Sequence, residues 1–207
     1  MSDQPLLGVV LCGGQSRRMG TDKGLIRDAQ TGMTWVEMTG ATLAATGINV
    51  VYSINESQLP AYSPMIPDAR LIVDAIDIPG PLKGMISVHK LFPERDLLIV
   101  ACDLPGMNTI TLAALVSAYN GHQQASAVNG ESNPVPRPDF YYYKLGSIKE
   151  TLCCIYRKEA LAKISSHWSE GILQDFSLKH LLADERSFIL EVASDEVFKN
   201  ANTPGEV

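Results

Sequence analysis

Few of the features that assign a function at sight are present in this chain. It lacks a basic surplus: 17 Lys and Arg stand against 23 Asp and Glu, for a net charge of −6. A general nucleic-acid binder carries the opposite balance. It lacks any apolar run near the roughly 20 residues of a membrane helix. It lacks a signal-peptide pattern, because Met1-Ser2-Asp3-Gln4-Pro5 has no basic segment and the apolar stretch that follows is short. A cytoplasmic protein is therefore expected. Its cysteines are Cys12, Cys102, Cys153 and Cys154, and none has zinc-type CxxC spacing. In a reducing compartment they are expected as free thiols, with Cys102 and Cys153 packing as small hydrophobes. His89, His122, His167 and His180 neighbour no nucleophile and show no metal spacing. There is no G-x-S-x-G elbow to support covalent hydrolase chemistry, and no internal repeat.

What is present is enough apolar material to bury a core. Hydrophobic residues make up 45% of the 207 and charged residues 19%, the balance of a folded domain rather than a disordered chain. The length suits one domain. Short apolar runs alternate with helical patterns. Strands are expected at 6–11, 48–54, 71–73, 96–101, 125–128, 151–156 and 188–192. Helices are expected at 34–46, after Gly80-Pro81, and at 109–119, 158–165 and 177–183. Continuous rather than alternating apolar strands, separated by helices, predict a mostly parallel sheet covered on both faces, a three-layer α/β/α domain. Residues 129–149 contain Pro134, Pro136 and Pro138 and the run Phe140-Tyr141-Tyr142-Tyr143. They are expected to form a long loop or excursion, either chemically silent or a flap for an acceptor or a second subunit.

The segment after the first strand carries the strongest chemical signal: Leu11-Cys12-Gly13-Gly14-Gln15-Ser16-Arg17-Arg18-Met19-Gly20. Without Cβ atoms, Gly13 and Gly14 let the backbone turn sharply and approach a ligand. Their N–H groups can form a concavity for an anion. Arg17 and Arg18 can fork onto phosphate oxygens, and Lys23 adds a compact charge. A strand's carboxyl end is where open α/β sheets bind ligands. Two commoner phosphate loops do not fit. A P-loop ends in Gly-Lys-Ser/Thr, whereas Gly20 is followed by Thr21-Asp22-Lys23. The spacing of Gly13, Gly14 and Gly20 is not that of G-x-G-x-x-G. The competing use is a tight turn with solvated arginines.

Three further clusters follow. Cys102-Asp103-Leu104-Pro105 comes directly after the most apolar strand. There Asp103 can hold Mg²⁺, which takes one or two carboxylates plus substrate phosphates, or can cap the next helix. Asp74 also stands at a strand end, ahead of Gly80-Pro81-Leu82-Lys83-Gly84-Met85. Gly84 costs that helix about 1 kcal/mol relative to Ala, which points to a close contact with a ligand or with a neighbouring strand. Finally, Asn200-Ala201-Asn202-Thr203-Pro204 carries alternating amides that can grip one polar ligand or form a plain turn.

Together these blocks resemble the MobA-like nucleotidyltransferases. The likeness runs through Leu11-Cys12-Gly13-Gly14-x-Ser16-x-Arg18-Met19-Gly20-x-Asp22-Lys23, Gly80-Pro81-Leu82-x-Gly84-Met85, Cys102-Asp103-Leu104-Pro105 and Asn200-x-Asn202-Thr203-Pro204, in the family's order and over nearly the whole chain. The double glycine leans toward the branch that uses GTP. The resemblance implies a Rossmann-like domain over residues 1–207, dependence on Mg²⁺, and transfer of GMP from GTP to the phosphate of molybdopterin or Mo-molybdopterin. Exchange with other proteins of molybdenum cofactor assembly is a further expectation.

Carried over by position, the resemblance places Leu11, Cys12, Gly13, Gly14 and Ser16 around the nucleotide. Asn55 reads the guanine, and Asp74 lies near the nucleoside. Lys23 and Arg18 face phosphate, Asp103 ligates Mg²⁺, and Gly84, Asn200 and Asn202 face the acceptor. The chain departs from the family pattern where Cys12 replaces Ala, where Lys83 replaces a small residue, and in the longer segment at 129–150. The His-Pro entry to the following strand is also not evident. A related transferase using CTP or a sugar phosphate, and a non-catalytic nucleotide-binding paralogue, are the alternatives.

Overall fold

The computed structural model describes residues 5–13, 22–66, 70–128, 137–182, 186–192 and 196–199. Its strands are β1 (Leu6–Leu11), β2 (Asn49–Ile54), β3 (Arg70–Val73), β4 (Asp96–Ala101), β5 (Phe140–Leu145), β6 (Ile148–Tyr156) and β7 (Ser187–Glu191). Its α-helices are α1 (Trp35–Ala44), α2 (Leu59–Tyr62), α3 (Leu82–Leu91), α4 (Thr109–Val128), α5 (Lys158–Ser169) and α6 (Leu178–Leu181).

The strands form one sheet in the order β3-β2-β1-β4-β6-β5-β7. β1 and β4 are buried along their whole length, as their unbroken apolar sequences require. Side chains of β1 alternate between the two faces. Leu7, Val9 and Leu11 join a core with α3, α5 and α6. Leu6, Val10 and Cys12 join a second core with α1, α2 and α4. The result is the expected three-layer α/β/α sandwich. Only β6 among the described strands runs against the rest, because it pairs antiparallel with both β4 and β5 while the other pairings are parallel.

Two elements differ from the sequence expectation. Residues 125–128 are the end of α4 and not a strand. A four-residue apolar run cannot be assigned by periodicity alone, and Ala is the strongest helix former. The aromatic run at 140–143 is β5 and not part of a loop; it lies between β6 and β7 with Phe140, Tyr141, Tyr142 and Tyr143 all buried. The nearby prolines mask that signal, although aromatic residues favour strands when a pleated, half-buried surface awaits them.

The order of the strands positions the site. From β1 the chain winds outward to β2 and β3, then crosses back to place β4 on the other side of β1. The winding therefore reverses between β1 and β4, and the crevice beyond the carboxyl ends of such a pair is where open α/β sheets bind ligands.

Candidate active site

The chain beyond β1 is held on both sides. Cys12 N–H donates to the Ser53 carbonyl at 2.9 Å, and Cys102 N–H donates to the Leu11 carbonyl at 3.2 Å. Cys12 and Cys102 are thus fixed at the adjoining ends of β1 and β4. Both are buried free thiols. Burial, then the adjacent Cys102 sulfur, pushes the Cys12 thiol well up. A thiol held protonated is a poor nucleophile and a poor metal ligand.

Gly13 passes against the carboxylate of Asp74. A Cβ on Gly13 would lie 2.6 Å from Asp74 Oδ2 and 3.6 Å from Asn55 Nδ2. The backbone, the amide and the carboxylate therefore meet at one spot. Asp74 is anchored there by its own N–H to the Ile54 carbonyl, 2.8 Å, and by Ser53 Oγ, which donates to Oδ1 at 2.7 Å. Burial pushes the Asp74 carboxyl up, while the Ser53 hydroxyl and the Lys83 charge offset part of the shift.

This shift has a defined sign. A carboxyl raised in the folded state adds stability in acid, and that contribution is lost as pH rises from about 4 through the folded value. Asp74→Asn mimics the protonated form. Its melting temperature, compared with that of the parent, should gain most at neutral pH and least near pH 4. An equal difference at both would show that Asp74 is not held against its charge.

Gly84 packs into the same corner. A Cβ on it would collide with Ser53 Oγ, lie 3.1 Å from Leu11 Cδ2 and lie 3.3 Å from Asp74 Oδ1. The missing side chain lets α3 sit directly on the ends of β1 and β2. Gly84→Ala should destabilise the fold by about 1–3 kcal/mol through overpacking, read as a lowered urea midpoint; an unchanged midpoint would count against the contact.

An ion pair stands on the β4 side of the crevice. Lys23 lies in a 3-10 turn, Lys23–Leu25, capped by the Asp22 carboxylate, which accepts from Gly24 N–H at 3.0 Å. Lys23 Nζ sits 3.0 Å from Asp103 Oδ2, both side chains about one-fifth exposed. The alternative use of Asp103 as a helix cap is not taken up. The start of α4 is met by Asn108, whose Oδ1 accepts from Thr111 N–H at 2.9 Å.

Asp103 has an acidic neighbour. The β4–β6 ladder pairs Val100 with Cys153, so continuing that register brings Glu150 level with Asp103. Burial pushes the Glu150 carboxyl up; the Leu152 N–H offsets part of this, and the Asp103 charge adds to it. Among the described residues, no group of three or more His, Cys, Asp and Glu could cage a metal. Asp103, part-exposed at a strand end, fits the single carboxylate that Mg²⁺ takes when substrate phosphates complete its shell.

Of the residues expected from sequence, Leu11, Cys12, Gly13, Asn55, Asp74 and Gly84 gather at one end of the crevice, and Lys23 and Asp103 at the other. Gly14, Ser16, Arg18, Asn200 and Asn202 lie outside the described residues. Sequence reasoning missed Ser53, Gln58 and Tyr62. Gln58 could have been found from Asn55-x-x-Gln58, which has the spacing of a helix capping box. Nothing in the sequence marks Ser53, one polar residue in an apolar strand.

This arrangement can be set beside known proteins. The family described as the MobA-like NTP transferase domain matches residues 8–186. The molybdenum cofactor biosynthesis bifunctional protein of Synechocystis sp. is 27% identical over 208 residues, covering 98% of this chain; the chain spans 55% of that protein's length. The molybdenum cofactor guanylyltransferase of Pseudomonas putida is 29% identical over 199 residues, covering 95% of this chain and 92% of its own length. Molybdopterin-guanine dinucleotide biosynthesis protein A from Archaeoglobus fulgidus has the same fold, with a TM-score of 0.69 at 19% identity over 96% of this chain and 93% of that one. The chain belongs to the MobA-like NTP transferase family.

Proposed function

We propose that this protein transfers GMP from GTP to the phosphate of molybdopterin or Mo-molybdopterin, with Mg²⁺, releasing pyrophosphate. One observation carries this most directly. At the reversal between β1 and β4, a close meeting of backbone, amide and carboxylate (Gly13, Asn55, Asp74) stands on the β2–β3 side and the Lys23–Asp103 pair on the β4 side. That polarity suits a nucleotide lying across the crevice, base on the first side and phosphates on the second. Relatives named as molybdenum cofactor guanylyltransferases, matched over nearly their full length, support the choice of nucleotide and acceptor.

In the proposed reaction an oxygen of the acceptor phosphate attacks the α-phosphorus of GTP. The new O–Pα bond forms as the bond from Pα to the bridging oxygen of the β-phosphate breaks, and pyrophosphate leaves with that electron pair. A phosphate monoester is already ionised at neutral pH, so no general base is required.

The protein's work is alignment and charge stabilisation. Asn55 presents both an amide donor and an acceptor, the complement of a guanine edge. Asp74 lies beside the nucleoside. Lys23 and Arg18 draw charge from the departing pyrophosphate, while Gly14 and Ser16 complete the phosphate cradle. Asn200 and Asn202 are the proposed acceptor contacts by resemblance, and Gly84 acts by letting α3 close on the ends of β1 and β2. Asp103 would hold Mg²⁺, which when bound neutralises phosphate charge and polarises phosphorus. No helix among the described residues is long and apolar enough to cross a membrane, and the proposed reaction belongs in the cytoplasm.

Calorimetric titration with GTP, CTP and ATP, each with Mg²⁺, tests the nucleotide. GTP should bind at least about tenfold more tightly than either, the discrimination expected when a polar site loses matched hydrogen bonds. Preference for CTP would move the chain to another branch of the family.

A further inference from the structure

Gln58 makes three hydrogen bonds to three different parts of the proposed site. Its Nε2 donates to the Cys12 carbonyl at 3.0 Å and to Asp22 Oδ2 at 2.5 Å. Its Oε1 accepts from the Asn55 N–H at 2.7 Å. Both amide hydrogens and the amide oxygen are therefore engaged. Cys12 ends β1 at the base end, Asn55 is the proposed base reader, and Asp22 immediately precedes Lys23 and caps its turn. Four residues further on, Tyr62 repeats the contact: its hydroxyl donates to Asp22 Oδ1 at 2.9 Å. The Tyr62 ring is fully buried, and burial above all pushes its phenol up, so it stays a donor throughout the physiological range. The same hydroxyl occupies the space a Cβ on Gly24 would need, which locks the turn after Lys23 onto the 56–62 segment.

We propose that Gln58 is a positioning residue for nucleotide binding, its one amide fixing Asn55 and the end of β1 relative to the turn that carries Lys23. This inference rests on the nucleotide site proposed above. Base and triphosphate are then met by groups already held at the right separation, so less ordering is left to the binding step. Asp22 gains a role of its own. Its carboxylate accepts from Gln58, Tyr62 and the Gly24 N–H, acting as the joint between the two segments and not as a ligand for substrate.

The test is Mg·GTP titration of the wild-type chain, Gln58→Ala, Gln58→Glu and Tyr62→Phe, with melting curves for each. The wild type should bind. Gln58→Ala should bind about tenfold more weakly, the effect of losing hydrogen bonds that hold a site together. Its KM for nucleotide should rise accordingly, with kcat at saturating nucleotide changed less than about threefold.

Gln58→Glu keeps the acceptor for Asn55 but turns an oxygen toward the Cys12 carbonyl and the Asp22 carboxylate. Its affinity should fall further at about pH 8 and recover toward that of the wild type near pH 5.5, where a shared proton restores one bond. A purely structural role moves melting temperature without this pH signature.

Tyr62→Phe keeps the buried ring and removes only the hydroxyl, so it reports on the same joint should Gln58→Ala fold poorly; it should weaken binding about threefold. Wild-type binding with Gln58→Ala and Tyr62→Phe both within twofold of it would overturn this inference and leave the proposed function standing. Failure of the wild type to bind GTP would overturn the proposed function and this inference with it.

Discussion

Asp103→Ala will lower the rate of pyrophosphate release by on the order of a hundredfold or more, the loss typical of removing one electrostatic contact to a transition state. The reason lies in where the carboxylate stands. It follows the fully buried β4, so its backbone cannot drift. It has no capping duty, since Asn108 meets the start of α4. Its side-chain partner is Lys23, in a pair only about one-fifth exposed, so removing one member should lower the melting temperature somewhat without unfolding the domain. The variant should therefore be folded and nearly silent. It should also need more Mg²⁺ for half-maximal rate. Turnover near normal across a Mg²⁺ series would remove Asp103 from the chemistry.

Lys23→Ala should be comparably slow, again by on the order of a hundredfold or more, but with the opposite response to metal. Lys23 Nζ donates to Asp103 Oδ2 at 3.0 Å. Removing the lysine leaves the carboxylate to the metal, so half-maximal rate should come at equal or lower Mg²⁺ even as the maximum falls. Lys23→Arg should rescue incompletely, because a planar fork does not replace a compact ammonium held against one oxygen. The double variant should lose much less than the product of the single losses, as groups that act as a unit do. Multiplicative losses would mean that the two residues act separately. A Lys23→Ala enzyme with unchanged turnover would sink the assignment.

The parts of this site written in consecutive residues could be read directly. Gly13 and Lys23 stand in one block, and Asp103 follows an apolar strand whose ends, residues 96 and 101, match the structure. Glycines at 13 and 84 signalled close approach, and both prove to be packed against Ser53 or Asp74. What could not be read is what depends on distant pairings. Nothing local says that β6 runs antiparallel and so brings Glu150 level with Asp103. Nothing local says that Gln58 reaches Asp22, a partner 36 residues away. The aromatic strand β5 was hidden because three nearby prolines outweighed a pattern that makes sense only once its neighbours in the sheet are known. The overlong α4 shows the converse, a short Ala-rich run taking the conformation of the helix that leads into it.

The proposed reaction is the transfer of GMP to a phosphate acceptor at the carboxyl ends of β1 and β4. Its most direct test combines purified chain, Mg²⁺, GTP and Mo-molybdopterin, with pyrophosphate and the dinucleotide product followed together. The two should appear in equal amounts, require both substrates, and fall together in Asp103→Ala. GTP bound tightly with no pyrophosphate released would contradict that reaction and leave a nucleotide-binding protein without transferase activity.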